Sequence, residues 1–278
     1  MNKEKKSKNK ILIFTLVILV IICIVIGIKK LISYNLIIDS NNAKEYMSDD
    51  LLNENGKFET VIINNKNQEE QDILTVETDI IFESKRITKL KEYQNINSDI
   101  VGWLEIPGTN ISYPILQGID NSYYMKRNYK KQRSVNGSLF LDKSYNWNPR
   151  STNLLIYGHN NRGTNEMFVE LLKYKNESFY KEHPIVRFTT NEEDAVYEII
   201  SVFKSRVYYQ RETDVFRYYY FVHANNKEEF DYFVSESKKA SLYNIDKTAE
   251  YGDSLITLST CEYSQKDGRF VVVARKKQ

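Results

Sequence analysis

The sequence predicts a mainly β fold, a closed or nearly closed barrel with peripheral helices, preceded by an N-terminal helix and a single membrane anchor. Three observations carry this expectation. Short β-prone runs punctuated by Gly, Pro, Asn and Asp follow one another from residue 100 onward. Stretches with apolar residues at helical spacing are few. One uncharged apolar run occupies the N-terminus, from Ile11 to Ile28.

That run spans roughly 27 Å as a helix at about 1.5 Å per residue, near the thickness of a bilayer's hydrocarbon core. A cleaved leader would have a shorter apolar region followed by small residues. Here Lys29 and Lys30 follow directly, so residues 11–28 are expected to be an uncleaved transmembrane helix. Residues 1–10 carry Lys3, Lys5, Lys6, Lys8 and Lys10 against Glu4, and the positive-inside rule keeps this basic tail in the cytoplasm. The remainder is then extracellular, at the cell membrane. Residues 29–79 are polar and rich in Asn, Asp and Glu, and are expected to form a stalk. Residues 80–278 form the folded domain.

From about Ile80 to Asn97, the spacing of Ile80, Ile81, Ile87, Leu90, Tyr93, Gln94 and Ile96 predicts an amphipathic helix opening that domain. Strands are expected at Val101–Ile106, Ile111–Leu116, Gly137–Leu141, Asn153–Tyr157, Ile185–Phe188, Ala195–Phe203, Val215–Val222, Ser254–Ser259 and Phe270–Ala274. Further helices are expected at Asn121–Arg127, Glu166–Lys173 and Lys227–Ala240, the last with Phe230, Phe233 and Val234 on one side. About nine short strands with two to four helices suit a decorated barrel.

The charge is nearly balanced, 39 Lys and Arg against 37 Asp and Glu, which argues against a nucleic-acid partner. Of two cysteines, Cys23 lies in the anchor, so Cys261 has no disulfide partner and is either an inert core residue or a reactive sulfur. A thiol becomes a good nucleophile beside a base or a cation. Three histidines are available: His159 after the strand ending at Tyr157, His183 in a loop before Pro184, and His223 after the run Val215–Val222. The residues alone leave His159 and His223 open as the partner. Arg269 lies in a turn eight residues after Cys261. If the flanking runs are neighbouring strands, its guanidinium stands at the same sheet end as the sulfur, placed to hold an oxyanion.

These motifs resemble the sortases. Thr257-Leu-Ser-Thr-Cys261 is similar to their cysteine strand, Tyr157-Gly-His159 to their histidine motif and Gly268-Arg269 to their arginine. Asp99-Ile-Val-Gly-Trp-Leu104, Gly108-Thr-Asn-Ile-Ser-Tyr-Pro114 and Gln117-Gly-Ile-Asp-Asn-Ser-Tyr-Tyr124 resemble class B members in particular, as does the long insertion between histidine and cysteine. The resemblance runs from about residue 80 to the C-terminus and implies a sortase β-barrel. It favours His159 over His223 and makes Cys261, His159 and Arg269 the catalytic group. It places Asn121, Tyr157, Ser259 and Glu262 near the substrate groove.

The implied reaction is that of a cysteine transpeptidase of Gram-positive bacteria. Cys261 attacks the threonine carbonyl of an LPXTG-like or NPXTX-like C-terminal sorting signal on a secreted protein. The thioacyl enzyme then passes the protein to a peptidoglycan amine, without metal or organic cofactor. Two other readings stand beside it: a pilin polymerase using a lysine acceptor, and a membrane-tethered surface binding module in which Cys261 is simply packed.

Overall fold

The computed structural model describes residues 85–161 and 163–277. The predicted tail, anchor and stalk lie outside the described residues, as does the first turn predicted for the opening helix. No helix among the described residues is long and apolar enough to cross a membrane.

Eight strands close into a barrel: β1 (Ile100–Glu105), β2 (Ser112–Leu116), β3 (Leu139–Leu141), β4 (Asn153–Gly158), β5 (Ile185–Thr189), β6 (Asp194–Arg206), β7 (Leu255–Cys261) and β8 (Gly268–Lys276). Their order around the barrel is β1-β2-β3-β4-β7-β8-β6-β5, and β1 pairs with β5 to complete the ring. Two pairs are parallel, β2 with β3 and β4 with β7; the others are antiparallel. Closure leaves no continuous exposed edge, so every strand has a hydrogen-bonded neighbour on both sides.

The core follows from composition. Leu255, Ile256 and Leu258 of β7 and Phe270, Val271, Val272 and Val273 of β8 are each 0% exposed, because helices and loops cover the outside of these strands while the barrel interior covers the inside. That double burial explains why both read as continuous apolar runs rather than alternating ones. Where polar residues enter, they are paired: Thr257 Oγ1 donates to Asn153 Oδ1 at 2.9 Å across β4 and β7.

Helix α1 is present across residues 85–96, with Leu90 buried. Arg86 at its described end donates to the buried Asp194 through Nε at 2.9 Å, and Arg187 of β5 shares the same carboxylate. Burial alone would raise the Asp194 carboxyl, but Thr189 and the two guanidiniums hold it below its ordinary value. Helix α2 (Glu177–Glu182) was not expected; six residues with no buried side chain leave no periodic signal. Helix α3 (Lys227–Lys239) matches the expected one. The Asn226 side chain caps it by accepting from Glu229 N–H, and Phe230, Phe233 and Val234 turn inward.

The expected strand Val215–Val222 is instead an irregular segment around a 3-10 turn at Tyr218–Tyr220. Its aromatic residues face several directions rather than alternating: Phe221 stacks on Phe233 of α3 at 4.1 Å, while the Tyr218 hydroxyl points at β7. Its backbone turns on local bonds, Tyr220 N–H to Arg217 C=O and Phe221 N–H to Tyr218 C=O, and it meets β4 through Asn153 N–H to Val222 C=O at 2.9 Å without forming a ladder. The expected helices at Asn121–Arg127 and Glu166–Lys173 are 3-10 turns at Tyr123–Lys126 and Glu170–Lys175.

Candidate active site

Backbone register assembles the site. On the antiparallel pair β7 and β8, Cys261 stands directly opposite Arg269. On the parallel pair β4 and β7, Tyr157 is opposite Ser259 and Gly158 opposite Thr260. The chain leaves β4 at Gly158, so His159 emerges beside the end of β7 that carries Cys261. Cys261, His159 and Arg269 line one cavity of about 260 Å³ at this rim, together with Asn121, Tyr157 and Ser259. Phe140, Val207, Tyr218 and Tyr219 supply its apolar wall.

Two glycines permit the approach. A Cβ at Gly158 would collide with Leu139 and Phe168, and one at Gly268 would strike the Glu262 carbonyl. Each immediately precedes a site residue, so close backbone packing sets where His159 and Arg269 begin.

The Cys261 thiol is free and half-buried. His159 Nε2 lies 2.6 Å from the Met125 carbonyl. A carbonyl only accepts, so Nε2 carries a proton and Nδ1 is the nitrogen left to exchange one. Arg269 folds over its own turn, Nη1 donating to Gly268 O at 2.9 Å and Asp267 O at 3.2 Å. Its Nη2 and Nε form no hydrogen bond among the described residues, leaving two donors for an incoming oxygen.

The other expected positions divide. Asn121 Nδ2 donates to Asp142 at 2.8 Å and its Oδ1 accepts from Lys143 N–H, which fixes its amide at the cavity. The Tyr157 hydroxyl donates to the same carboxylate at 3.0 Å. Burial, then the Asp142 charge, pushes the Tyr157 phenol far above its usual range. Ser259 is 1% exposed, its Oγ 2.6 Å from the Tyr218 hydroxyl. Glu262 points away from the cavity; it accepts from Lys175 at 2.8 Å and from Ser264 N–H at 2.9 Å. Burial would raise its carboxyl, yet those hydrogen bonds and the Lys175 charge hold it down at about 2.

The remaining histidines stand elsewhere. His183 Nδ1 meets the Pro107 carbonyl at 2.9 Å, and His223 lies by Thr152. Neither lines the cavity with Cys261.

Three further residues shape the site without a sequence signal of their own. Asn160, 4% exposed, donates from Nδ2 to the Cys261 carbonyl at 2.9 Å, while its own carbonyl accepts from the Tyr263 hydroxyl at 2.8 Å. It thus staples the histidine loop to the cysteine strand. Met125 acts through its backbone, which no side-chain pattern reveals. Tyr218 was hidden inside the run read as a strand. Among the described residues no group of three or more His, Cys, Asp or Glu is placed to hold a metal ion.

Comparison with known proteins agrees with this architecture. The family profile described as "Sortase domain" matches residues 104–277. Sortase B of Staphylococcus aureus is 32% identical over 189 residues, covering 67% of this chain and 74% of that protein. Sortase B of Listeria monocytogenes is 34% identical over 189 residues, covering 66% and 72%. The solved Staphylococcus aureus sortase B–substrate complex superposes with a TM-score of 0.61 at 29% identity, over 76% of this chain and 98% of that one. The chain belongs to the sortase family, among the sortase B proteins.

Proposed function

We propose that this sortase, a cysteine transpeptidase, cleaves an LPXTG-like or NPXTX-like C-terminal sorting signal after its threonine and joins the protein to a peptidoglycan amine. The observation that carries this reading is the shared cavity of Cys261, His159 and Arg269 at an open barrel rim. A relative solved as a substrate complex supports a sorting-signal donor.

In the first half-reaction the Cys261 thiol passes its proton to Nδ1 of His159 and the sulfur adds to the threonine carbonyl carbon, so that negative charge gathers on the carbonyl oxygen. The free Nη2 and Nε donors of Arg269 receive that oxyanion. The C–N bond then breaks, His159 gives its proton to the departing amine, and a thioester to Cys261 remains. In the second half the acceptor amine adds to the thioester carbon, His159 takes a proton from the nitrogen, and the sulfur leaves. The product is an amide and the enzyme is regenerated. Phe140, Val207 and Tyr219 keep the thioester against an apolar wall, which favours aminolysis over attack by bulk water.

The protein is held at the cell membrane by residues 11–28 with its N-terminus cytoplasmic and its catalytic domain outside. Lys3, Lys5, Lys6, Lys8 and Lys10 ahead of the apolar run support that orientation. Asn121, Tyr157 and Ser259 contact the signal peptide from the cavity lining. Glu262, turned away from the cavity, contributes by holding the turn after the nucleophile.

Mixing the full chain with candidate signal peptides and recording protein mass tests the reading. The expected result is a thioacyl adduct equal to the peptide N-terminal to the scissile bond, absent in Cys261→Ala and released by hydroxylamine. No adduct with either signal class overturns it. A stable adduct discharged by a pilin lysine but by no peptidoglycan amine would assign polymerisation instead.

A further inference from the structure

The segment 126–133 (Lys-Arg-Asn-Tyr-Lys-Lys-Gln-Arg) holds five basic residues in eight positions and no acid. It is a built hairpin rather than a loose loop. Arg127 and Arg133 face each other in an antiparallel bridge, Ser134 N–H donates to Lys126 C=O at 2.9 Å, and Asn128 N–H to Gln132 C=O at 2.9 Å. The Asn128 side chain closes the turn by accepting from Lys130 and Gln132 N–H, and Lys131 takes a left-handed backbone (φ 62°). Asn97 Nδ2 holds the Tyr129 carbonyl at 2.9 Å and Ser138 Oγ the Arg127 carbonyl at 2.8 Å, tying the hairpin to the domain.

Residues paired across an antiparallel bridge project to one face, and like charges so placed repel. Here two arginine side chains leave the ribbon on one face. Among the described residues only Lys131 of the five is neutralised, by Asp99 at 2.9 Å. Arg127 lies over the Tyr123 ring and donates to the Tyr123 carbonyl, while Lys126, Lys130 and Arg133 make no ion pair among the described residues. A solvated charge run needs neither a fixed turn nor a facing Arg pair; a site for a dianion uses both, because planar guanidiniums bind phosphate oxygens in pairs.

The hairpin springs from Met125, whose carbonyl accepts from His159 and whose side lines the catalytic cavity. It therefore stands on the histidine side of the site, beside the residue that takes the acceptor amine's proton in the reaction proposed above. On the reading proposed above the donor is a plain peptide motif without phosphate.

We propose that Arg127 and Arg133, with Lys126 and Lys130 beside them, form an anion site for a phosphate group carried by the amine acceptor. The inference rests on the transpeptidase reading for the identity of that substrate, while the anion site itself stands on the hairpin geometry.

The test uses the full chain in neutral-lipid nanodiscs with two acceptors differing in one group: the ethanolamide of triglycine and its O-phosphate ester. At low salt the phosphate ester should show a KM about tenfold lower, with kcat unchanged, and the difference should shrink at high ionic strength. Lys130→Gln with Arg133→Gln should abolish the difference while leaving thioacyl formation with the signal peptide intact. Equal KM values for the two acceptors in the parent protein overturn the site. So does a double variant that keeps the preference, or one that loses only association with anionic vesicles, which would assign the hairpin to a membrane surface. If no thioacyl enzyme forms, the transpeptidase reading fails; calorimetric titration of the parent and double variant with the phosphate ester still decides the anion site, which needs binding in the first and about tenfold weaker binding in the second.

Discussion

Cys261 and His159 lie at one cavity rim but are held in place by different means. On the cysteine side, β7 and β8 are laddered from Leu255 opposite Arg275 through Cys261 opposite Arg269, so the backbone fixes both residues. On the histidine side the ladder ends at Gly158, and side chains take over: Asn160 to the Cys261 carbonyl, Asn161 to Asn136 and the Val135 carbonyl, His159 itself to the Met125 carbonyl. The difference teaches where a single substitution acts. Changing a cysteine-side residue removes chemistry from a frame that stays put; changing a histidine-side residue moves the frame.

Arg269→Lys is the sharpest break of the first kind. Lysine keeps the charge at the same register position but loses the planar pair of donors. We expect kcat for thioacyl formation to fall about 100-fold, the scale of a lost oxyanion donor, with the melting temperature nearly unchanged. Stopped-flow acylation with a signal peptide measures it. Near-parent turnover would mean that charge alone serves and that the free Nη2 and Nε have no geometric role.

Glu262 gives the cysteine side a pH limit. Its carboxyl is held at about 2 in the folded protein against 4.5 for the ordinary group, with Lys175 and Ser264 overcoming the cost of burial. A depressed folded pKa contributes stability that is fully present above pH 4.5 and is lost as pH falls toward 2. The contribution is on the order of 2–3 kcal/mol. Chemical denaturation at stepped pH should show this loss, and Glu262→Gln should flatten the profile in that window while losing stability at pH 7. A profile identical in the two proteins would remove Glu262 from the account.

On the histidine side, Asn160→Ala takes the buried Asn160 amide away from the carbonyl of the half-buried Cys261. An unsatisfied buried acceptor costs about 1–3 kcal/mol. If that loss relaxes the loop, kcat should drop about tenfold with the signal-peptide KM little changed, since Asn160 does not line the cavity. A melting-temperature decrease with unaltered kcat would make the residue a fold staple only.

The same contrast explains what was legible in the sequence. Runs such as Ser254–Cys261 and Phe270–Ala274 announce themselves because double burial demands continuous apolar residues, and their junction at a short turn brings Arg269 to Cys261. Hence the barrel and the pairing of Arg269 with Cys261 could be read in advance, whereas the residues alone left His159 and His223 open. The run Val215–Val222 shows the limit: eight residues rich in Tyr and Phe have strand composition, yet α3 and β7 each capture some of the rings and bend the chain between them. The Met125 carbonyl was invisible because any residue supplies one. The resemblance placed Glu262 near the groove, but it follows Cys261 directly, and strand alternation turns consecutive side chains to opposite faces.

Tyr218 lies between the two sides and gives the smallest effect. Its hydroxyl is fully buried against Ser259 Oγ at 2.6 Å, and burial drives the phenol far above its usual range, so the pair is a neutral hydrogen bond at any working pH. Tyr218→Phe keeps the ring packed on Phe203 but leaves the Ser259 hydroxyl unpaired in the cavity wall. The expected cost is about 1 kcal/mol of stability, read as a melting-temperature decrease of roughly 2–4 °C. Because Ser259 faces the bound peptide in the proposed mechanism, its freed hydroxyl can rotate, and KM for the signal should rise about two- to fivefold while kcat stays near the parent value. A drop in kcat with constant KM would instead place Tyr218 on the path of the reaction through its neighbour Arg269, and would merge the two sides of the rim into one coupled unit.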